Sequence, residues 1–133
     1  MITFSDEEFN DLIARCIDEL PEQYVSKLAN VLIAFENEPT AEQRVKLKLR
    51  GNETLFGLFE GVPMTGQAAA SSMFNPNNAV LPSKITVFKN PALRFAPDAE
   101  ALKAQIKHTL WHEIAHYFGL DHDRIHEIER NWQ

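Results

Sequence analysis

The 133-residue chain contains five histidines, all between positions 108 and 126. Three of them form the pattern His112-Glu113-x-x-His116-x-x-Gly119-x-x-His122. Average residue usage puts a chance match to these fixed positions, anywhere in a chain this long, at a probability on the order of 10⁻⁵. On a helix, residues four apart lie about 40° apart around the axis and one turn apart along it, so His112 and His116 can offer both imidazoles to one point. Glu113 lies beside that stripe, where a carboxylate can hold water without occupying a ligand position. Its fitting role is general base. A catalytic zinc takes three protein groups and leaves a fourth position open. Gly119 supplies the left-handed residue that stops a helix and turns the chain back, and His122 then arrives as third ligand. Zn2+ is therefore the expected cofactor, lowering the pKa of a bound water to about 7 and polarising a scissile carbonyl.

The other two histidines border the motif. His108 lies one turn before His112 on the same stripe and reads as a polar neighbour. His126 lies one turn after His122 and is open between alternative ligand, proton donor and polar neighbour. Asp121 and Asp123 flank the third ligand, where they can accept a ring N–H from a ligand histidine or cap the helix that follows.

Several elements must position this segment. Ser5 with Glu8 is a capping-box signature, and Phe9, Leu12, Ile13, Cys16, Ile17 and Leu20 recur at helical spacing, which predicts an amphipathic helix over 6–19, ended by Pro21. Residues 22–30 read as a second short helix or turn, and Val31 to Phe35 as a buried strand. Thr40 with Gln43 opens a brief helix to about Leu49. Thr54 to Val62 reads as a second strand, with Gly57 and Gly61 marking a bulge or a close backbone approach. Residues 63–82, rich in Pro, Gly, Ala, Ser and Asn, form a long loop that could border a substrate cleft. Ile85 to Phe88 gives a third strand, ended by Asn90-Pro91. The long helix starts near Pro97-Asp98 and runs to about Phe118, and a last short helix spans Asp123 to Arg130. The order of elements is α+β.

Length and composition, with 44% hydrophobic and 24% charged residues, predict one soluble domain over residues 1–133. A net charge of −6 argues against broad phosphate-backbone binding, although Arg44, Lys46, Lys48 and Arg50 make a local basic patch. The lone Cys16 excludes an internal disulfide and falls on an apolar stripe, as a core residue does. The first residues lack the basic start and apolar run of a signal peptide, and no stretch is long enough to span a membrane. A cytoplasmic protein with no membrane partner is expected.

Three segments carry a family resemblance: Phe4-Ser5-Asp6-Glu7-Glu8-Phe9; Leu55-Phe56-Gly57-Leu58-Phe59-Glu60-Gly61-Val62-Pro63; and Lys84-Ile85-Thr86-Val87-Phe88 leading to His112-Glu113-Ile114-Ala115-His116-Tyr117-Phe118-Gly119. Through them the chain resembles bacterial zincin-like metallopeptidases, the minimal zincins, once grouped as a domain of unknown function. The resemblance implies a small twisted sheet packed against the long zinc-binding helix, with an edge strand above the cleft, here taken as Thr54 to Pro63. Such a strand could pair with an extended peptide. Members often carry an aspartate where this chain has His122, which makes Asp121 the substitute third ligand. No methionine follows His122, so the methionine turn of metzincins is absent downstream. The candidates for stabilising a tetrahedral oxyanion are Tyr117, Arg124 and His126.

The function expected on these grounds is zinc-dependent hydrolysis of peptide bonds in a peptide or protein substrate. One alternative is a non-catalytic zinc-binding module, its fourth position closed by His108 or His126. Another is a metal-dependent endoribonuclease, since a bacterial RNA-maturation family resembles this chain in three histidines at the same spacing. That family lacks the glutamate after the first histidine.

Overall fold

The computed structural model describes residues 2–28, 31–49, 55–61 and 83–131. Helix α1, Asp6–Asp18, begins with the expected capping box: the Glu8 N–H donates to Ser5 Oγ at 3.1 Å and the Ser5 N–H to Glu8 Oε1 at 2.9 Å. It buries Phe9, Leu12, Ile13 and Cys16. After Pro21 comes one turn of helix, α2, Glu22–Val25, and then strand β1, Val31–Glu36. Helix α3, Ala41–Lys46, carries a second capping box between Thr40 and Gln43. Strand β2 is Gly57–Glu60 and strand β3 is Ser83–Phe88.

The sheet has the order β1-β3-β2, with β1 parallel and β2 antiparallel to the central strand. Register places Ile33 and Phe59 on either side of Ile85, and Phe35 and Gly57 on either side of Val87. Side chains two apart point the same way, so this set shares one face, and its apolar members join the core formed with α1 and the long helix. Phe9 meets Phe35 edge-on with ring centroids 5.1 Å apart. Lys89, with its side chain only 9% exposed, reaches Asp6 Oδ1 at 2.8 Å and so is not buried unpaired.

Helix α4, Lys89–Phe95, follows β3 directly. The sequence predicted only that Asn90-Pro91 ends the strand. Pro91 falls in the first turn of the helix, where the backbone N–H has no partner to lose, so the residue that ends the strand also suits the helix start. Helix α5, Ala99–Tyr117, is capped by Asp98, whose Oδ1 accepts from the Ala101 N–H at 2.8 Å. Leu102, Ile106, Leu110, Trp111 and Ile114 of α5 are essentially inaccessible. At roughly 25 cal/mol per Å² of apolar surface, a helix buried on this scale anchors the domain and gives whatever it carries a fixed place. Helix α6, His122–Arg130, closes the described chain, with Ile125 at 0% exposure.

The second strand is shorter than Thr54 to Val62, and both of those ends lie outside the described residues, as do the loop over 63–82, Arg50 of the basic patch and Trp132. No helix among the described residues is long and apolar enough to cross a membrane. The architecture is α+β, a small sheet packed on one long helix.

Candidate metal centre

The last two turns of α5 carry His112, Glu113 and His116. The rings of His112 and His116 stand 5.8 Å apart between centroids at 78° to each other, as residues one turn apart should. His112 is half-buried, and burial lowers its pKa, with His108 and His116 adding to the effect. A depressed imidazole is neutral at pH 7 and therefore free to bind a metal.

Glu113 is the least solvated of the three, with its side chain 15% exposed. Its Oε2 is buried and has no hydrogen-bond partner among the described residues. His116 Nδ1 is 3.5 Å away. Burial raises the Glu113 pKa, and the nearby His116 offsets only part of that. A buried acceptor left unmade costs about 1–3 kcal/mol, so this carboxylate is placed at the expense of stability.

Strand β2 lies directly over it. A Cβ on Gly57 would come 2.4 Å from Thr109 Cγ2, 3.3 Å from the Thr86 carbonyl oxygen and 3.7 Å from Glu113 Cγ. Gly57 is thus a close backbone approach, one of the two readings its sequence context left open. Gly61 differs: its φ of +132° is a backbone state that side chains disfavour, and a Cβ there would strike Ser83.

The turn after α5 forms as the spacing predicts. Gly119 has φ 72°. Its N–H donates to the His116 carbonyl at 3.0 Å, and the Leu120 N–H donates to the Ala115 carbonyl at 3.1 Å. These two bonds define a Schellman stop. Asp121 then caps α6, accepting from the Arg124 N–H at 2.8 Å. Of its possible roles, it is the cap that the structure displays.

His122 is the first residue of α6 and is exposed. Its ring stacks on that of His126 at 6.4 Å and 23°. His126 in turn lies 6.0 Å from His112, and His108 lies 4.8 Å from His112 on its other side. His108 Nδ1 is bonded to Glu129, a buried carboxylate that sequence reasoning passed over. Its signal was present, since Glu129 follows His122 by seven residues and shares its stripe. Of the oxyanion candidates, Tyr117 is 3% exposed and packed on Phe59 and Phe118, while Arg124 reaches back to Glu127 at 3.3 Å.

The donor chemistry suits zinc: a neutral imidazole, a second imidazole one turn away, and a buried carboxylate oxygen with no donor among the described residues. Among the described residues, however, no three His, Cys, Asp or Glu side chains converge closely enough to hold one ion. The histidines nearest to this pair are His108 on α5 and His126 on α6, and His122 stacks on His126.

Comparison with known proteins agrees with this frame. No curated protein matches the chain. A solved structure of a conserved hypothetical protein from T. thermophilus is similar over 86% of this chain and 94% of its own, with a TM-score of 0.55 at 18% identity. At that identity the likeness is one of fold. The family described as zincin-like metallopeptidase matches residues 28–132. Because that span takes in the whole sheet together with the turn from α5 into α6, the chain belongs to the zincin-like metallopeptidase family.

Proposed function

We propose that the protein is a zinc-dependent peptidase, with His112, His116 and His122 as the zinc ligands and Glu113 as general base. The observation that carries this reading is the Glu113 carboxylate: buried, without a hydrogen-bond partner at Oε2 among the described residues, and lodged between His116 and the backbone of β2. A structural role would supply that oxygen with a donor. A base that must accept a proton needs it free.

A zinc ion, if bound by these residues, would supply Lewis acidity for a water and for a substrate carbonyl, with a bound water's pKa lowered to about 7. Glu113 Oε2 orients that water, accepts its proton and delivers it to the leaving amine. Its raised pKa brings it closer to the operating pH, as a base that later acts as an acid requires. Among the described residues β2 pairs only with β3, so its outer edge can take the main chain of an extended substrate as a further strand. The substrate in this reading is a peptide or an extended protein segment in the cytoplasm.

Glu113→Gln should retain about one zinc per chain while peptide cleavage falls by about 10²–10⁴, and His116→Ala should lose the zinc. Metal content by mass spectrometry and a peptide-library screen read both. Cleavage by Glu113→Gln as fast as by the parent would overturn the mechanism.

One observation favours a second reading, a non-catalytic zinc module: His126 lies 6.0 Å from His112, nearly as near as the ligand partner His116 at 5.8 Å. A fourth imidazole there would close the position that substrate needs. In that case zinc would be structural, and chelation would unfold the protein. A peptidase site would survive chelation folded. The endoribonuclease reading is disfavoured by Glu113 and by the net charge of −6.

A further inference from the structure

The histidines occupy two facing stripes. His108, His112 and His116 line one face of α5 over about 12 Å, and His122, His126 and Glu129 line one face of α6 over about 10.5 Å. The stripes run antiparallel, since His108 meets Glu129 while His112 faces His126. At one end they are joined by the Gly119 turn. At the other, the described residues show the bond between His108 Nδ1 and Glu129 Oε2.

Other contacts seat α6 on α5 through its apolar side. Trp111 Nε1–H donates to the Ile125 carbonyl at 3.1 Å, and the Ile125 side chain is fully buried. Together with the partly buried Ile128 they fix how deep α6 sits, while the polar face that carries His122 and His126 is tied to α5 by the Glu129–His108 bond. Glu129 lies a turn further on. Seven residues advance a helix by about 700°, so Glu129 and His122 share an azimuth to within about 20°. Any roll of α6 that parts Glu129 from His108 carries His122 and His126 with it.

Glu129 is also unusual for its place. It lies on a helix whose sequence, His-Asp-Arg-Ile-His-Glu-Ile-Glu-Arg, is mostly polar, and Glu127 and Arg130 beside it are exposed. Glu129 is instead 9% exposed. A buried carboxylate needs a partner to be tolerated, and here the partner comes from the helix that carries His112 and His116.

We infer that Glu129, acting through His108, is a positioning residue that holds α6 in register on α5 and so sets where His122 and His126 stand relative to His112. Glu129 itself touches no metal in this arrangement. The inference deepens the zinc reading and rests on it for its consequence, which is metal affinity. Groups that orient ligands in this way typically change affinity by about 10–100-fold when removed.

The test uses Glu129→Ala, His108→Ala, the double variant and Glu129→Gln, with two readouts. The first is zinc affinity by competition with a chromophoric chelator. Each alanine variant should weaken binding by about 10–100-fold, the double variant should be no weaker than the worse single, and Glu129→Gln should recover most of the loss because its amide oxygen still accepts from His108 Nδ1–H. The second is amide hydrogen exchange on the metal-free proteins: opening of residues 122–130 should rise about tenfold, with the α5 core unchanged.

Parent-like affinity in both alanine variants, or losses that simply add in the double variant, would refute the inference while leaving the zinc site standing. If the parent held no zinc, the zinc reading would fail, and exchange would still decide whether the pair fixes α6. Unchanged exchange over 122–130 would refute it on its own.

Discussion

Gly57→Ala isolates the contact that seats β2 over Glu113. The new Cβ would lie 2.4 Å from Thr109 Cγ2, where carbon atoms prefer about 3.5–4.0 Å. Thr109 is β-branched and 9% exposed within α5, so its χ1 cannot swing freely to clear the way. The Thr86 carbonyl at 3.3 Å blocks escape toward β3. The relief left is for β2, paired along only four residues, to lift from the helix by about 1 Å. Overpacking of this kind costs about 1–3 kcal/mol. Alanine also restricts the unfolded chain, which returns about 0.4–1 kcal/mol. The net loss should lie between about 0 and 2.6 kcal/mol, with a central value of about 1.3 kcal/mol or roughly 5 °C in Tm for a chain of this length. Chemical denaturation and calorimetry measure it directly. The diagnostic control is Gly57→Ala with Thr109→Ser, which deletes the offending methyl but keeps the hydroxyl, and which should recover most of the loss as a positive coupling in the double-mutant cycle. If the double-mutant cycle showed no positive coupling between Gly57→Ala and Thr109→Ser, the account of β2 resting on Thr109 beside Glu113 would be wrong.

In metal-free protein, Glu113→Gln should raise stability at pH 7. Burial lifts the Glu113 pKa above its unfolded value, so the parent is favoured while the acid is protonated and loses stability as pH rises through the folded value; the gap to the variant should open above about pH 4.3 and close below it in a Tm series from pH 4 to 7. Cys16 is inaccessible and burial pushes its thiol up to about 11, so it should resist iodoacetamide in native buffer at pH 8 and react fully in denaturant, as mass spectrometry would show. Gly119→Ala should cost about 1 kcal/mol by forcing a side chain to φ 72°, read by denaturant midpoint, and should weaken zinc binding by displacing α6.

The parts of the fold that the sequence shows plainly are those encoded within a few residues. The capping boxes at Ser5 and Thr40 and the stop at Gly119 form as read, because each depends on hydrogen bonds between near neighbours, whereas Asp98, read as part of the first turn of the long helix, stands one residue before it as its cap. Helix α4 escapes such a reading because Pro91 looks like a terminator unless its position within the first turn is known. Gly57 could be narrowed only to a bulge or a close approach, since what it makes room for is Thr109 on another element. The spacing of Glu129 from His122 shows the stripe they share, but its burial was hidden for the same reason. Its partner His108 lies across a helix pair whose crossing no local pattern specifies.

The same division runs through the candidate site. His112, Glu113 and His116 sit on α5, whose buried residues lie against the sheet, α1 and α6, so their mutual geometry is fixed by the helix itself. His122 and His126 sit on a nine-residue helix held by Ile125, the Trp111 bond and Glu129. A helix that short is marginal on its own and takes its stability from docking. In the proposed site the third donor is therefore the adjustable one, and metal affinity should respond to α6 contacts that leave Glu113 undisturbed. In the proposed site, substitutions on α6 and at its partner His108 then act on how tightly zinc is held, whereas Glu113→Gln acts on what a loaded site can do. A non-catalytic module would show no such separation, because with zinc as its structural tie both sets of substitutions would register as loss of fold.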